Sequence, residues 1–555
     1  MGPVAPSGGP IEDGSTKMNT PVRVQPSSSA VPDSKGRPAG KHWAVATAFV
    51  IPYLVLMVCW AFTNPRASAP DETSHFMKAV GMATFDIGSS YTGTETGGGL
   101  GAERNRSISR VIPVPANLVP HDPKCEVLQP TVSAGCRPQQ PPVTSTAIEY
   151  RVDVLGSYPP FLYVPMGWAA RLGSDAVAAF YRARLFCALA SASLLLLGAA
   201  HLTRALGRRA LLGAFVALTP VVIFSCSTVT TSGMEICAAF ATACIVVAGL
   251  RRRETLAEPG TQLLLAGVGA TLILSRQLGV VTFALLMLLL LVRIGPGFFW
   301  NLARARTVAF LGSAGILLVS GISVAWWELA FDHPSHVGTF FSESAFGAFS
   351  TSSYSLVRSG VALFGWLDTG IPAWFIAMWI AVLLILVGAA VLLGSRADRW
   401  TLLIWSVVMM AVGYFTYATV FYPVGASLQG RHLLAVFTLI PLLAGITIVG
   451  RADSFDPAVG TRLFRIVAVT IPLLQFVSLY LNGRRYAVGT NGPVWFLPVA
   501  QWQPPLGWAL WLLLGFLACC WMGRNIWTMG VERALGTPAP TPNEREAKER
   551  ADVER

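Results

Sequence analysis

Long apolar runs alternate along this chain with short polar breaks that carry arginine. The runs lie near 43–62, 183–203, 209–227, 233–250, 260–275, 277–293, 307–327, 373–394, 400–421, 432–450, 465–481 and 506–523. Most are close to the ~20 residues a helix needs to cross a bilayer. The pattern predicts an all-α integral membrane protein with about twelve transmembrane helices. Arg276 splits the apolar stretch 260–293 into two short pieces, so one span and two remain open there. Ala67-Ser68-Ala69 after the first run resembles a signal cleavage site. That run exceeds the ~7–15 residues of a signal core, and Pro70 would follow the cut, so a retained anchor is expected.

The arginines orient the spans. Arg204, Arg208 and Arg209, then Arg251, Arg252 and Arg253, then Arg304 and Arg306, then Arg396 and Arg399, fall in alternate short loops. Arg451, Arg462, Arg465, Arg524 and Arg533 continue the series. The positive-inside rule assigns these loops, with both termini, to the cytoplasm. Three long segments then face outward: 63–182, the large first external loop, with 328–372 and 482–505. Residues 1–40, rich in Pro, Gly and Ser, read as a disordered tail, 41–533 as the membrane domain and 534–555 as a charged tail. Gly97-Gly98-Gly99 and the proline-rich stretch 113–142 predict irregular structure in the first loop. The segment 158–165, Tyr-Pro-Pro-Phe-Leu-Tyr-Val-Pro, is apolar but too short to span and is expected at the interface or re-entering the membrane.

Composition agrees. The chain has 555 residues, 53% hydrophobic and 13% charged, with a mean hydropathy of +0.55, whereas soluble domains carry roughly 25% charged residues. The net charge of +12 is spread through loops, which excludes a nucleic-acid footprint. Seven of nine cysteines lie in or beside apolar runs and read as small buried hydrophobes. Cys125 and Cys136, in the long polar loop, are candidates for a disulfide in an oxidising compartment; zinc is weaker, since no CxxC spacing accompanies them.

Candidate chemistry centres on Asp71, Glu72 and His75, about ten residues beyond the first run. Asp71 reads as the N-cap of a helix through Phe76 and Lys78, with His75 on its face at i, i+4. An ordinary acidic helix start is the bland alternative. Glu235, Arg276 and Arg431 with His432 stand at the outer ends of spans, where ionisable groups are costly and are functional candidates by default. A structural Arg276–Glu235 ion pair is the competing reading. Arg484, Arg485 and Tyr486 add a basic-aromatic cluster on the same side, equally suited to headgroup anchoring. One carboxylate and several arginines around an outward cavity suit transfer from a phosphate-linked donor. The acceptor hydroxyl needs a base, and the departing phosphate needs cations.

Three segments carry a resemblance. Pro70-Asp71-Glu72-Thr73-Ser74-His75-Phe76 resembles the PPDEPxHF signature of the bacterial membrane-protein family called domain of unknown function 2142. Residues 158–165 resemble its hPPLYYLP segment, and Gln429-Gly430-Arg431-His432-Leu433-Leu434 its QGRYLLP segment. This sequence departs from the pattern at Ala69, Thr73, His432 and Ala435, and has no Asn-Pro-Asp-type segment at 227–233. The family is similar to GT-C glycosyltransferases, and the resemblance implies a GT-C-like enzyme of the bacterial plasma membrane. It would move a sugar from a polyprenyl-phosphate donor to a cell-envelope glycan or lipid acceptor. Asp71 or Glu72 would be the base, a divalent cation (magnesium or manganese) could bridge carboxylate and phosphate, and His75, Arg276 and Arg431 would meet the donor. A transporter or lipid-carrier flippase, which calls for internal repeats and mid-membrane charges, and a non-catalytic envelope assembly protein are the alternatives.

Overall fold

The computed structural model describes residues 40–90, 109–120, 125–138, 143–330, 342–451 and 456–535. The expected tails, apart from Gly40 and residues 534–535, lie outside the described residues, as do Gly97 to Gly99. Every apolar run becomes helical. In chain order the helices are α1 (Lys41–Thr63), α2 (Glu72–Met82), α3 (Tyr163–Arg171), α4 (Ala176–Leu206), α5 (Leu212–Ala217), α6 (Pro220–Cys226), α7 (Ser232–Arg251), α8 (Pro259–Ser275), α9 (Gln277–Ile294) and α10 (Pro296–Ala305). They continue as α11 (Thr307–Ala330), α12 (Glu343–Thr351), α13 (Ser353–Val361), α14 (Ala373–Leu393), α15 (Arg396–Thr416), α16 (Leu434–Phe437), α17 (Leu439–Gly450), α18 (Pro457–Val488) and α19 (Trp508–Leu535).

Among the described residues ten helices are long and apolar enough to cross a membrane, or eleven if the bent pair formed by α5, with its preceding turn, and α6 is one span. The expected count of twelve differs for two physical reasons. The run 209–227 breaks at Leu218 and Thr219 ahead of Pro220 and bends by 83°. Proline there offers no N–H to continue a helix; the Val216 carbonyl it would have met accepts from Trp379 Nε1 at 3.2 Å, and the Leu218 carbonyl at the break accepts from Gln475 Nε2 at 2.8 Å. The second case is α8, which has only 17 residues. Arg276, in extended conformation, separates α8 from α9, so 260–293 forms two helices.

The core lies on α7, which is apolar all round and almost wholly buried, as expected of a central helix. Helices α9, α11, α14 and α15 leave many large apolar side chains on the outer surface, where lipid would cover them. Loops gather at two ends. At one end Arg204 pairs with Glu258, and Arg251 and Arg293 share Asp398. The other end carries 64–82, 155–163, 227–232, Arg276 and 429–432.

The described part of the first long loop is more regular than its composition suggested. Beside α2 and α3 it holds a three-stranded antiparallel sheet, β1 (Ser89–Ser90), β2 (Arg110–Pro115) and β3 (Ile148–Asp153), in that order. Strand β1 pairs only with Arg110 and Val111, so Pro113 and Pro115 face no ladder on that edge and the prolines are tolerated. Ile112 and Val114 turn inward to the core formed with α2. Cys125 and Cys136 are joined in a disulfide. Arg137 beside it pairs with buried Glu126.

Candidate active site

After α1 the chain turns through 64–71 into α2, and a single buried arginine organises the turn. Arg184 of α4 donates from Nε to Glu72 Oε1 at 2.8 Å and from Nη2 to Glu72 Oε2 at 2.8 Å. Its Nη1 donates to the carbonyls of Ala61 and Asn64, and Nη2 also to Pro65. All five guanidinium N–H groups are used. Glu72 further accepts the backbone N–H of Val229 at 3.0 Å, and both side chains of the pair are fully buried. A buried ion pair with every donor satisfied fixes geometry rather than doing acid-base work. Glu72, expected as a base or metal ligand, therefore clamps α1, α4 and the 227–231 loop.

Asp71 behaves differently. It occupies the N-cap position of α2, but at φ 59° and ψ 9°, and its side chain makes no capping bond. The expected cap is thus absent: the left-handed turn directs the carboxylate to a cavity instead. Left-handed backbone costs a non-glycine residue of the order of 1–3 kcal/mol, and such strain clusters at functional sites. Its carboxylate meets no hydrogen-bond or ion-pair partner among the described residues.

The cavity, of about 130 Å³, joins Asp71, His75, Tyr158, Thr230, Ser232, Arg276, Phe421, Gln429, Arg431 and His432. Five residues singled out from sequence thus meet in one place. Arg276 Nη1 donates to Ser232 Oγ at 2.8 Å and Nη2 to Tyr158 Oη at 2.7 Å. Glu235 approaches Arg276 at 4.0 Å and does not line the cavity; its Oε1 is buried without a partner. Arg431 sits in a 3-10 turn, Gly430–Leu433, pressed so closely on α13 that a Cβ at Gly430 would lie 1.9 Å from the Leu356 carbonyl oxygen. Arg431 Nε, His432 Nδ1 and Gln429 Oε1 are all buried without a protein partner. Buried polar atoms are almost always satisfied, so this stretch is built to meet a ligand or water.

His75 is held from both sides of its ring: Nδ1 shares a hydrogen bond with Tyr163 Oη at 2.7 Å, and Nε2 lies 3.5 Å from Thr230 Oγ1. Burial, with the charges of Arg276, Arg431 and Lys78, pushes its pKa well below the usual imidazole range. It is a neutral hydrogen-bonding group at pH 7. Lys78 donates to the carbonyls of Leu155, Gly156 and Tyr158 at 2.6, 3.1 and 2.7 Å, and so fixes the segment that carries Tyr158. The segment 158–165 therefore packs against α2 and the cavity. Burial lowers Lys78 to about 7 and raises nearby Asp153 to about 6.

Arg484 and Arg485 do not reach the cavity. Arg484 donates to the carbonyls of Thr490, Gly492 and Pro493. Arg485 pairs with Asp368 at 2.8 Å and donates to the carbonyls of Glu126, Gln129 and Val132. A divalent cation fits the cavity poorly, because Glu72 is consumed by Arg184, Asp71 is the one carboxylate on the wall, and two guanidiniums face it. Among the described residues the one metal-like grouping is Cys125, Glu126 and Cys136, whose thiols are spent in the disulfide. Sequence reasoning missed Arg184 and Tyr163. Arg184, an ionisable residue at the head of an apolar run, was a signal available in the sequence.

No curated protein matches the chain. The family model described as a predicted membrane protein (DUF2142) matches residues 54–440, and the chain belongs to that family.

Proposed function

We propose that the protein is a GT-C-like glycosyltransferase that uses a polyprenyl-phosphate sugar at the outer face of a bacterial plasma membrane. Both termini then lie in the cytoplasm, and α8 and the bent pair complete twelve crossings. The observation that carries the reading is the charge arrangement in one cavity: Asp71, a carboxylate without a hydrogen-bond partner among the described residues, faces Arg276 and Arg431, whose Nε is buried without one. Two guanidiniums stand against a single carboxylate on the cavity lining, so the cavity is net positive and favours an anion, and phosphate suits arginine's planar fork.

Asp71 accepts the proton of the acceptor hydroxyl as its oxygen attacks the anomeric carbon. The bond from that carbon to the donor phosphate breaks, and polyprenyl phosphate leaves with the electron pair. Arg276 and Arg431 stabilise the charge that grows on the leaving oxygen, a role worth roughly 10²–10³ in rate per donor where it has been removed elsewhere. Neutral His75, oriented by Tyr163, supplies a hydrogen bond rather than a charge. The envelope glycan or lipid acceptor enters on the Asp71 side.

The test is transfer from a panel of radiolabelled polyprenyl-phosphate sugars in membranes containing the wild type or Arg431→Gln. The reading expects transfer from one donor, with kcat reduced at least a hundredfold in the variant at equal protein level. Absence of transfer from every donor, with substrate movement across the bilayer instead, would favour a carrier.

A further inference from the structure

Away from the Asp71 cavity, the last two long helices frame a groove on the surface. Helices α18 and α19 are in extensive contact, and at Gly523 they come so close that a Cβ would lie 3.0 Å from the Ala468 carbonyl oxygen. The small residues at this approach, with Pro472 inside α18, leave a groove of about 420 Å³ on the outer surface. Phe476 and Phe516 wall it toward mid-bundle and Trp527 toward the end, where Arg208 and Arg209 donate to the carbonyls of Thr528 and Met529. From Phe516 to Trp527 the helix rises about 16 Å at ~1.5 Å per residue. That is the depth of one leaflet's hydrocarbon, half of the ~30 Å core.

Charge marks one end of this apolar groove. Arg524 lines it and is exposed, and the Arg465 guanidinium lies 4.9 Å above the Trp527 ring. Neither arginine has a carboxylate partner among the described residues. An apolar slot one leaflet deep, closed by an aromatic ring and two unpaired cations, matches a single lipid with a negative headgroup. We propose that the groove holds one acyl chain of an anionic phospholipid, with its phosphate against Arg524 and Arg465. This does not depend on the sugar-transfer reading, since the groove and the cavity share no residue.

Native mass spectrometry of the delipidated full-length chain, titrated with phosphatidylglycerol or phosphatidylcholine, tests it. Phosphatidylglycerol should bind at least tenfold more tightly, and Arg465→Gln/Arg524→Gln should erase the preference. Equal affinities, or a preference that survives the double variant, overturns the proposal. A second readout uses Cys520, which lines the groove and is the one exposed free cysteine among the described residues. Phosphatidylglycerol should slow its labelling by N-ethylmaleimide at least fivefold while phosphatidylcholine does not. Equal protection by both lipids, protection by neither, or protection by a lipid-free dimer overturns it.

Discussion

Glu72→Gln separates the clamp from the catalyst. The substitution keeps shape and size but removes the one carboxylate that meets Arg184 among the described residues, and the Arg184 side chain is fully buried. Arg184 stays charged, because arginine does not deprotonate in proteins. Breaking a buried pair by deleting one partner costs about 3–5 kcal/mol, since the remaining charge is left uncompensated. Spread over a chain of 555 residues, whose unfolding entropy is about 2.1 cal/mol/K per residue, that lowers the midpoint by roughly 3–4 °C if unfolding is cooperative. The assay is thermal unfolding in one detergent of the wild type, Glu72→Gln, Arg184→Gln and the double variant. The two single variants should fall together and the double variant should recover part of the loss, giving a coupling energy well above the ~0.5 kcal/mol of unconnected sites. A Glu72→Gln protein with wild-type stability and no activity would refute the reasoning and return Glu72 to the catalytic role.

Three further outcomes follow from the same geometry. Because burial holds Lys78 at about 7 in the folded state against 10.5 for the free side chain, the folded chain binds fewer protons than the unfolded one between those values. Stability therefore rises with pH across that window, and Lys78→Met should flatten the rise in an unfolding series from pH 6 to 10. Cys125→Ser/Cys136→Ser should lower stability by about 2–3 kcal/mol, the chain-entropy value for a short loop, read as a denaturation midpoint that the wild type reproduces only when reduced. Chelation with EDTA should leave sugar transfer within twofold of its starting rate. Loss of transfer that manganese or magnesium restores would overturn the metal-free reading.

Much of this molecule is legible in its sequence. The apolar runs located the helices, because a bilayer-length helix is a property of one contiguous segment. Asp71 and His75 stand out just beyond the first span and Arg276, Arg431 and His432 at the outer ends of spans, and the structure gathers them around one cavity. What the sequence hid depends on partners far away in the chain. Asp71 and Glu72 are adjacent and chemically alike, and it is Arg184, 112 residues on from Glu72, that gives them different surroundings. Arg485 looked like an anion ligand, yet Asp368 and three loop carbonyls had already claimed it. The 83° bend required knowing that Trp379 and Gln475 would take the carbonyls of Val216 and Leu218 ahead of Pro220. Strand β2 was hidden by its prolines, because the shortness of β1 cannot be read locally.

The central claim is that Asp71, and not its neighbour, does the acid-base work. Sugar transfer and unfolding should be measured side by side on the wild type, Asp71→Asn and Glu72→Gln. Asp71 makes no side-chain bond among the described residues, so Asp71→Asn should unfold like the wild type while transfer drops by roughly 10²–10⁴, the usual contribution of a positioned base. Asp71→Asn that retains transfer at unchanged stability would contradict the account.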